Sequence, residues 1–161
     1  MNITDFLSPE RVDIDVAAAS KLQLLHALSK SAANALRVKE SDVFRALNNR
    51  ELLGSTGIGE GIAVPHAPVP GISTPLALLV RLKRAIDFEA IDGMPVDIVF
   101  CLLTPAENRT HLAVLATVAR TLHSVDVRKS IRAALTAEEL YLSLVGTKAE
   151  EQNAAACAKS S

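Results

Sequence analysis

The sequence predicts an α/β domain, a three-layer sandwich in which a mixed β-sheet is flanked by helices. Three observations carry that reading. Apolar runs in the middle of the chain, "GIAVPH", "PLALLVRL" and "VDIVFCLL", lack strict alternation and so suit strands covered on both faces. Segments with apolar residues spaced three and four apart stand before and after them, as layers of amphipathic helices would. At 161 residues, 49% of them apolar but only 3% aromatic, the chain is sized for one domain whose core is built from Leu, Val, Ile and Ala. We place that domain at 1–146, followed by a tail at 147–161.

In chain order, Val12 to Val16 alternate with charges as a short strand does. In "SKLQLLHALSKSAANALRV" the residues Leu22, Leu25, Leu28, Ala32 and Leu36 mark one face of a helix. A second helix in "SDVFRALNNRELLG" starts at Ser41 as N-cap, turns Val43, Phe44 and Leu47 to one side and stops at Gly54, so the two form a helical hairpin. Between the later apolar runs, "IDFEAIDGMPV" reads as an edge strand and a turn at Asp92-Gly93. Three helices follow. The first is capped by Thr110 and striped by Leu112, Leu115, Ala119 and Leu122. The second carries Val127, Ile131 and Leu135, and the third opens with a Thr136/Glu139 capping box and is closed by Gly146. From Thr147 onward no apolar stripe is visible.

Several function classes drop out. With 17 basic and 18 acidic side chains the net charge of -1 gives no field to hold a nucleic acid backbone. No window approaches the 18 or so apolar residues of a membrane span and the N-terminus lacks a signal pattern, so no membrane insertion and a cytoplasmic location are expected. Cys101 and Cys157 stand far apart without CxxC or a matching His spacing, which signals neither a disulfide framework nor a metal site. Cys101, within "IVFCLL", reads as a core residue.

The chemistry concentrates in "GSTGIGEGIAVPHAPVP", where Gly54, Gly57, Gly59 and Gly61 are four of the chain's seven glycines and Pro65, Pro68 and Pro70 three of its seven prolines. "GIGEGI" is not a dinucleotide fingerprint, because a helix precedes it and a proline-containing segment follows. Ser55, in Gly-Ser-Thr-Gly, is not a catalytic serine elbow. What the segment shapes is His66. Pro65 biases Val64 toward extended backbone, so the imidazole stands at the end of a strand, and its neutral form offers a lone pair for phosphoryl acceptance. A solvent-facing loop histidine is the competing reading.

His111 falls in the first turn of its helix, where the dipole disfavours protonation and favours anions, although a partly exposed histidine there needs no function. Arg50 shortly precedes the glycine segment with a planar fork suited to phosphate oxygens. His26 and His123 read as helix-surface residues. "RLKR" at Arg81 to Arg84 reads as a solvated strand end or a docking surface for an acidic partner.

Taken together, "NRELLGSTGIGEGIAVPHA" resembles the active-site signature of the IIA proteins of the bacterial phosphotransferase system, in the fructose and mannitol class and particularly the nitrogen-regulatory branch. "LSPERV", "AIDFEAIDGMPVDIVFCLLTP", "THLAVLATVAR" and "TAEELYLSLV" extend the resemblance over nearly the whole chain, leaving the tail without a counterpart. The resemblance implies a mannitol-type IIA fold over 1–146. It makes His66 the acceptor of a phosphoryl group from a nitrogen-type histidine phosphocarrier, His111 the residue that positions that group, and Arg50 its phosphate or partner contact. It further implies a phosphorylated intermediate rather than a stand-alone enzyme, with no cofactor and no metal, that signals to regulatory targets such as potassium-transport or sensor-kinase systems. A sugar-specific IIA serving a separate permease subunit, and an interaction module that is not phosphorylated, are the alternatives. Backbone N–H groups of the loop residues Ser55, Thr56, Gly57, Gly59 and Gly61 are expected to approach the phosphoryl oxygens. Glu60 departs from the family, which favours a small polar residue there, and it is expected to point outward because a carboxylate would repel a phosphohistidine.

Overall fold

A computed structural model of the chain describes residues 2–106 and 111–146, with the side chain of His111 excepted. After two short 3-10 turns the elements are β1 (Val12–Val16), α1 (Lys21–Leu36), α2 (Glu40–Leu52), β2 (Gly57–Gly59), β3 (Ile62–Ala63), β4 (His66–Pro68), β5 (Leu76–Ile86), β6 (Val96–Thr104), α3 (His111–Leu122) and α4 (Val125–Ala133). A fifth helix, α5, covers 137–146. The tail at 147–161 and the expected cap Thr110 lie outside the described residues.

The sheet is mixed, in the order β1-β5-β6-β3-β2, with β4 also paired to β6. β6 is its centre, antiparallel to β5 and parallel to both β3 and β4. Because β6 is buried on both faces, its side chains divide by parity. Ile98, Phe100 and Leu102 face one layer with Val114, Val118, Ile131 and Leu140 from α3, α4 and α5. Val99, Cys101 and Leu103 face the other with Leu24, Leu28, Val43 and Leu47 from α1 and α2. This is the expected helix, sheet, helix arrangement, with Cys101 in the core and its thiol pKa pushed up to about 12 by burial.

Several local expectations are corrected. Helix α2 starts at Glu40 with Lys39 rather than Ser41 as its N-cap. Leu22, Leu112 and Leu135 are exposed; the buried stripe of α1 keeps Leu25, Leu28 and Ala32 and adds Leu24, and that of α3 keeps Leu115 and Leu122 and adds Val114 and Val118. "IDFEAIDGMPV" turns at Ala90 to Gly93, where the Gly93 N–H donates to the Ala90 carbonyl at 2.9 Å, but its first part forms no edge strand. Phe88 is fully buried between exposed Asp87 and Glu89, so the segment has the alternation of a strand without a ladder partner. Thr136 accepts the Glu139 N–H at 3.1 Å, whereas the Glu139 carboxylate reaches back to Leu135 N–H at 2.8 Å, one residue earlier than a capping box requires. Gly146 is still helical.

Nor is Arg81 a solvated strand end. Its guanidinium donates to the carbonyls of Ile131 at 2.9 Å and Ala134 at 2.5 Å, capping the end of α4, and pairs with Asp15 at 3.1 Å. Lys83 and Arg84 are exposed.

Candidate functional site

His66 opens β4, and its place follows from strand register. Ile62 and Ala63 pair with Ile98 and Val99, while His66, Ala67 and Pro68 pair with Leu102, Leu103 and Thr104, a constant offset across both strands. Residues 62–68 are thus one extended segment interrupted at Val64-Pro65. Proline cannot donate to the ladder, but the Pro65 carbonyl still accepts the Leu102 N–H at 3.0 Å. Parity puts His66 on the same face as Ile62, Val64 and Leu102, the face covered by α3, α4 and α5. The imidazole is half-buried, with Nδ1 2.8 Å from the Val64 carbonyl oxygen. A carbonyl only accepts, so Nδ1 carries the proton, and in the neutral ring the lone pair stands on Nε2.

The glycine segment packs beside this strand as a hairpin. The Val64 N–H donates to the Thr56 carbonyl at 2.9 Å, Gly57 pairs with Ala63, and Glu60-Gly61, both at positive φ (60° and 80°), make the turn. Gly57 is required by close approach, since a Cβ there would lie 2.8 Å from the Ala90 Cβ. Its polar groups are largely engaged within the fold. Ser55 Oγ donates to the Phe88 carbonyl at 2.7 Å and accepts the Gly57 N–H at 3.0 Å, while the Glu60 N–H goes to Asp92 at 2.9 Å. Gly59 and Gly61 pack around the turn near Asp92, Asp97 and Arg132, at the Asp97 end of β6, whereas His66 stands at its Leu102 end. At ~3.3 Å per residue, that separates the turn from the imidazole by roughly 17 Å along the strand. The structure therefore joins Ser55, Thr56 and Gly57 to the His66 segment and leaves Gly59 and Gly61 at the far tip.

Glu60 is exposed and lies toward Arg128, 3.7 Å away, as an outward-pointing side chain would. The turn is also held by Arg132, which donates to the Glu60 carbonyl at 2.9 Å and forks onto Asp97 at 2.9 and 3.0 Å. Asp92 accepts backbone N–H bonds from Glu60 and Met94, which hold its carboxyl pKa below the ordinary 3.8. A depressed folded-state pKa contributes stability above the unfolded value that is lost as pH falls through the folded one. The Glu60 amide shift, followed by NMR, is therefore expected to titrate with a midpoint below 3.8. A midpoint at or above 3.8 would remove Asp92 as the clamp of this turn.

Arg50, in the last turn of α2, donates to the Gly54 carbonyl at 3.0 Å and so fastens the entry to the glycine segment. It also lines a groove of about 490 Å³ with Asp42, Arg45, Leu53, Pro68 and Pro70, which places its helix end alongside β4. His111 begins α3, the helix whose Val114, Leu115 and Val118 pack on the His66 face. His26 stacks on Phe44 with centroids 3.9 Å apart, and His123 is exposed.

Sequence reasoning assigned no part to Glu51. This carboxylate is buried, accepts both the N–H of Thr56 at 3.2 Å and its hydroxyl, and pairs with Lys21 at 2.7 Å. Its position next to Arg50 in the sequence was the available signal.

Fold and motif together define a phosphotransferase IIA-type domain, and comparison with known proteins agrees. The chain belongs to the family described as "Phosphoenolpyruvate-dependent sugar phosphotransferase system, EIIA 2", whose model matches residues 5–145. Within that family it is similar to the nitrogen regulatory protein of Bradyrhizobium diazoefficiens, with 42% identity over 142 residues covering 88% of this chain and 93% of the relative. Among solved structures it is similar to the nitrogen regulatory protein IIA-Ntr of Neisseria meningitidis, at TM-score 0.84 and 33% identity over 88% of this chain and 98% of that one. The IIA mannitol protein of Escherichia coli shares the fold at TM-score 0.73 and 21% identity, over 86% of this chain and 98% of that one. No helix among the described residues is long and apolar enough to cross a membrane.

Proposed function

We propose that this protein is a phosphocarrier of the nitrogen-regulatory branch, accepting a phosphoryl group on Nε2 of His66 from a histidine phosphocarrier and acting on regulatory targets through phosphorylation-dependent binding. The observation that carries the reading is the bond from Nδ1 of His66 to the Val64 carbonyl. It holds the proton on the nitrogen that faces the backbone, so the lone pair of the neutral ring stands on Nε2.

In the transfer, the Nε2 lone pair forms a bond to phosphorus as the donor's phosphorus–nitrogen bond breaks, and the donor imidazole leaves with that electron pair. No proton has to move. The His66 ring becomes cationic, and the Val64 carbonyl then accepts a charge-assisted hydrogen bond, stronger than the neutral one. Little covalent work remains for the protein beyond alignment and charge stabilisation. Arg50 supplies a cation at the end of α2 alongside β4, as a phosphate or partner contact, and His111 takes the positioning role at the start of α3. Ser55, Thr56 and Gly57 act by supporting the His66 strand, because their polar groups are engaged within the fold.

A phosphoryl group adds about two negative charges to a half-buried site, enough to create or abolish a protein contact. We place this switch in the cytoplasm, with the phosphocarrier as donor and with potassium-transport or sensor-kinase systems as the kind of target. The likeness to mannitol IIA carries the fold alone, so a sugar-specific role gains no support from it. The test is reconstitution with phosphoenolpyruvate, enzyme I and the phosphocarrier. Label is expected on this protein only when all three are present. Labelling that needs no phosphocarrier, or none with a donor shown to be active, would overturn the reading.

A further inference from the structure

We propose that Glu51, with Lys21 as its counter-ion, is a positioning residue for His66, acting through Thr56 and Val64. The proposal rests on the phosphoacceptor reading of His66 for its importance, but its geometry stands without it.

The path is short and continuous. Lys21, the first residue of α1, sets its ammonium 2.7 Å from Glu51 Oε2 and 4.7 Å from the ring centre of Phe88. Glu51 accepts the Thr56 N–H at 3.2 Å on that same oxygen and the Thr56 hydroxyl on the other. Two donors from one residue fix the direction in which Thr56 enters the sheet. The carbonyl of Thr56 then takes the Val64 N–H at 2.9 Å, and the carbonyl of Val64 takes the Nδ1–H of His66 at 2.8 Å.

Val64 is confined from both sides, by Thr56 at its amide and by Pro65, which restricts the backbone of the residue before it. The Pro65 carbonyl is fixed in turn by Leu102 at 3.0 Å. The direction of the Val64 carbonyl therefore depends on where Thr56 sits, and Thr56 is seated by Glu51.

The choice of a carboxylate supports this role over mere filling. Glu51 is 7% exposed, and burying a charge of this kind is at best neutral for stability compared with a well-packed apolar residue. What an apolar side chain cannot do is hold the peptide and the hydroxyl of Thr56 in one orientation. The ion pair with Lys21 and the bonds to Thr56 tie the starts of α1 and of the glycine segment to the end of α2.

The readout is the imidazole itself. In protein carrying 15N-labelled histidine, the parent is expected to show His66 as the Nδ1–H tautomer. Glu51→Gln and the near-isosteric Thr56→Val are expected to lower the population of that tautomer and to slow phosphoryl acceptance about tenfold, while Thr56→Ser, which keeps the hydroxyl, stays close to the parent. Folded Glu51→Gln and Thr56→Val proteins with the parental tautomer would overturn the proposal, whether or not transfer slows. A shifted tautomer in a protein whose parent takes no phosphoryl group would leave Glu51 as a positioning residue and remove the phosphocarrier reading instead.

Discussion

His66→Ala is expected to take no phosphoryl group at all from a phosphorylated donor that fully labels the parent, and to keep the parent's fold. The loss is expected to be complete because the substitution removes the atom proposed to accept the group. The imidazole is only half-buried at the start of β4, and the backbone bonds that seat the strand, from the Leu102 N–H to the Pro65 carbonyl and from the Val69 N–H to the Thr104 carbonyl, survive the change. Stability is therefore expected to fall only modestly, by roughly 1–2 kcal/mol. Thermal unfolding and an intact-mass assay on the same sample check both halves. Residual labelling of the variant would place the acceptor elsewhere in the chain.

The second large effect is structural. Phe88→Ala is expected to destabilise the protein by about 3–5 kcal/mol, the range for deleting a buried phenylalanine. Phe88 is fully buried in the α1/α2 layer, its ring lies beneath the Lys21 ammonium, and its carbonyl accepts the Ser55 hydroxyl. For a domain of this size the cost corresponds to a fall in Tm of roughly 6–20 °C. Denaturant titration checks the free energy, and a loss under about 1 kcal/mol would mean that this layer closes over the cavity. The comparison with His66→Ala is informative because the two changes separate fold from chemistry. One removes packing and leaves the acceptor, the other does the reverse.

The layers were legible because β5 and β6 are apolar on both faces and helical spacing brackets them. The phase of the helices was less so. The stripe Leu22, Leu25, Leu28, Ala32 and Leu36 is right at Leu25, Leu28 and Ala32, but Leu22 lies exposed at the start of α1 while Leu24 is buried. "IDFEAIDGMPV" misled for a related reason: Phe88 anchors in the core with strand-like alternation, but β5 leaves its ladder with β6 at the Ile86–Val96 pair, so no partner continues the sheet.

At the site, the shape of the chain around His66 was readable from Pro65 and the glycines, since those residues act on their own neighbours. What holds the shape was not. Asp92 reaches Glu60 across 32 residues and Ser55 reaches Phe88 across 33, and such pairings depend on how the sheet assembles. The glycine segment was accordingly expected to present its amides to an anion, whereas the fold engages several of them to build a hairpin. Glu51 went unassigned because a glutamate near a helix end looks like any solvated residue until Lys21 and Thr56 are brought to it.

The most direct test of the central claim is the mass of the intact protein after incubation with phosphoenolpyruvate, enzyme I and the phosphocarrier, read before and after brief acid treatment. One added phosphoryl group that acid removes is expected in the parent and not in His66→Ala. An addition that survives acid, or one that appears equally in His66→Ala, would contradict that claim.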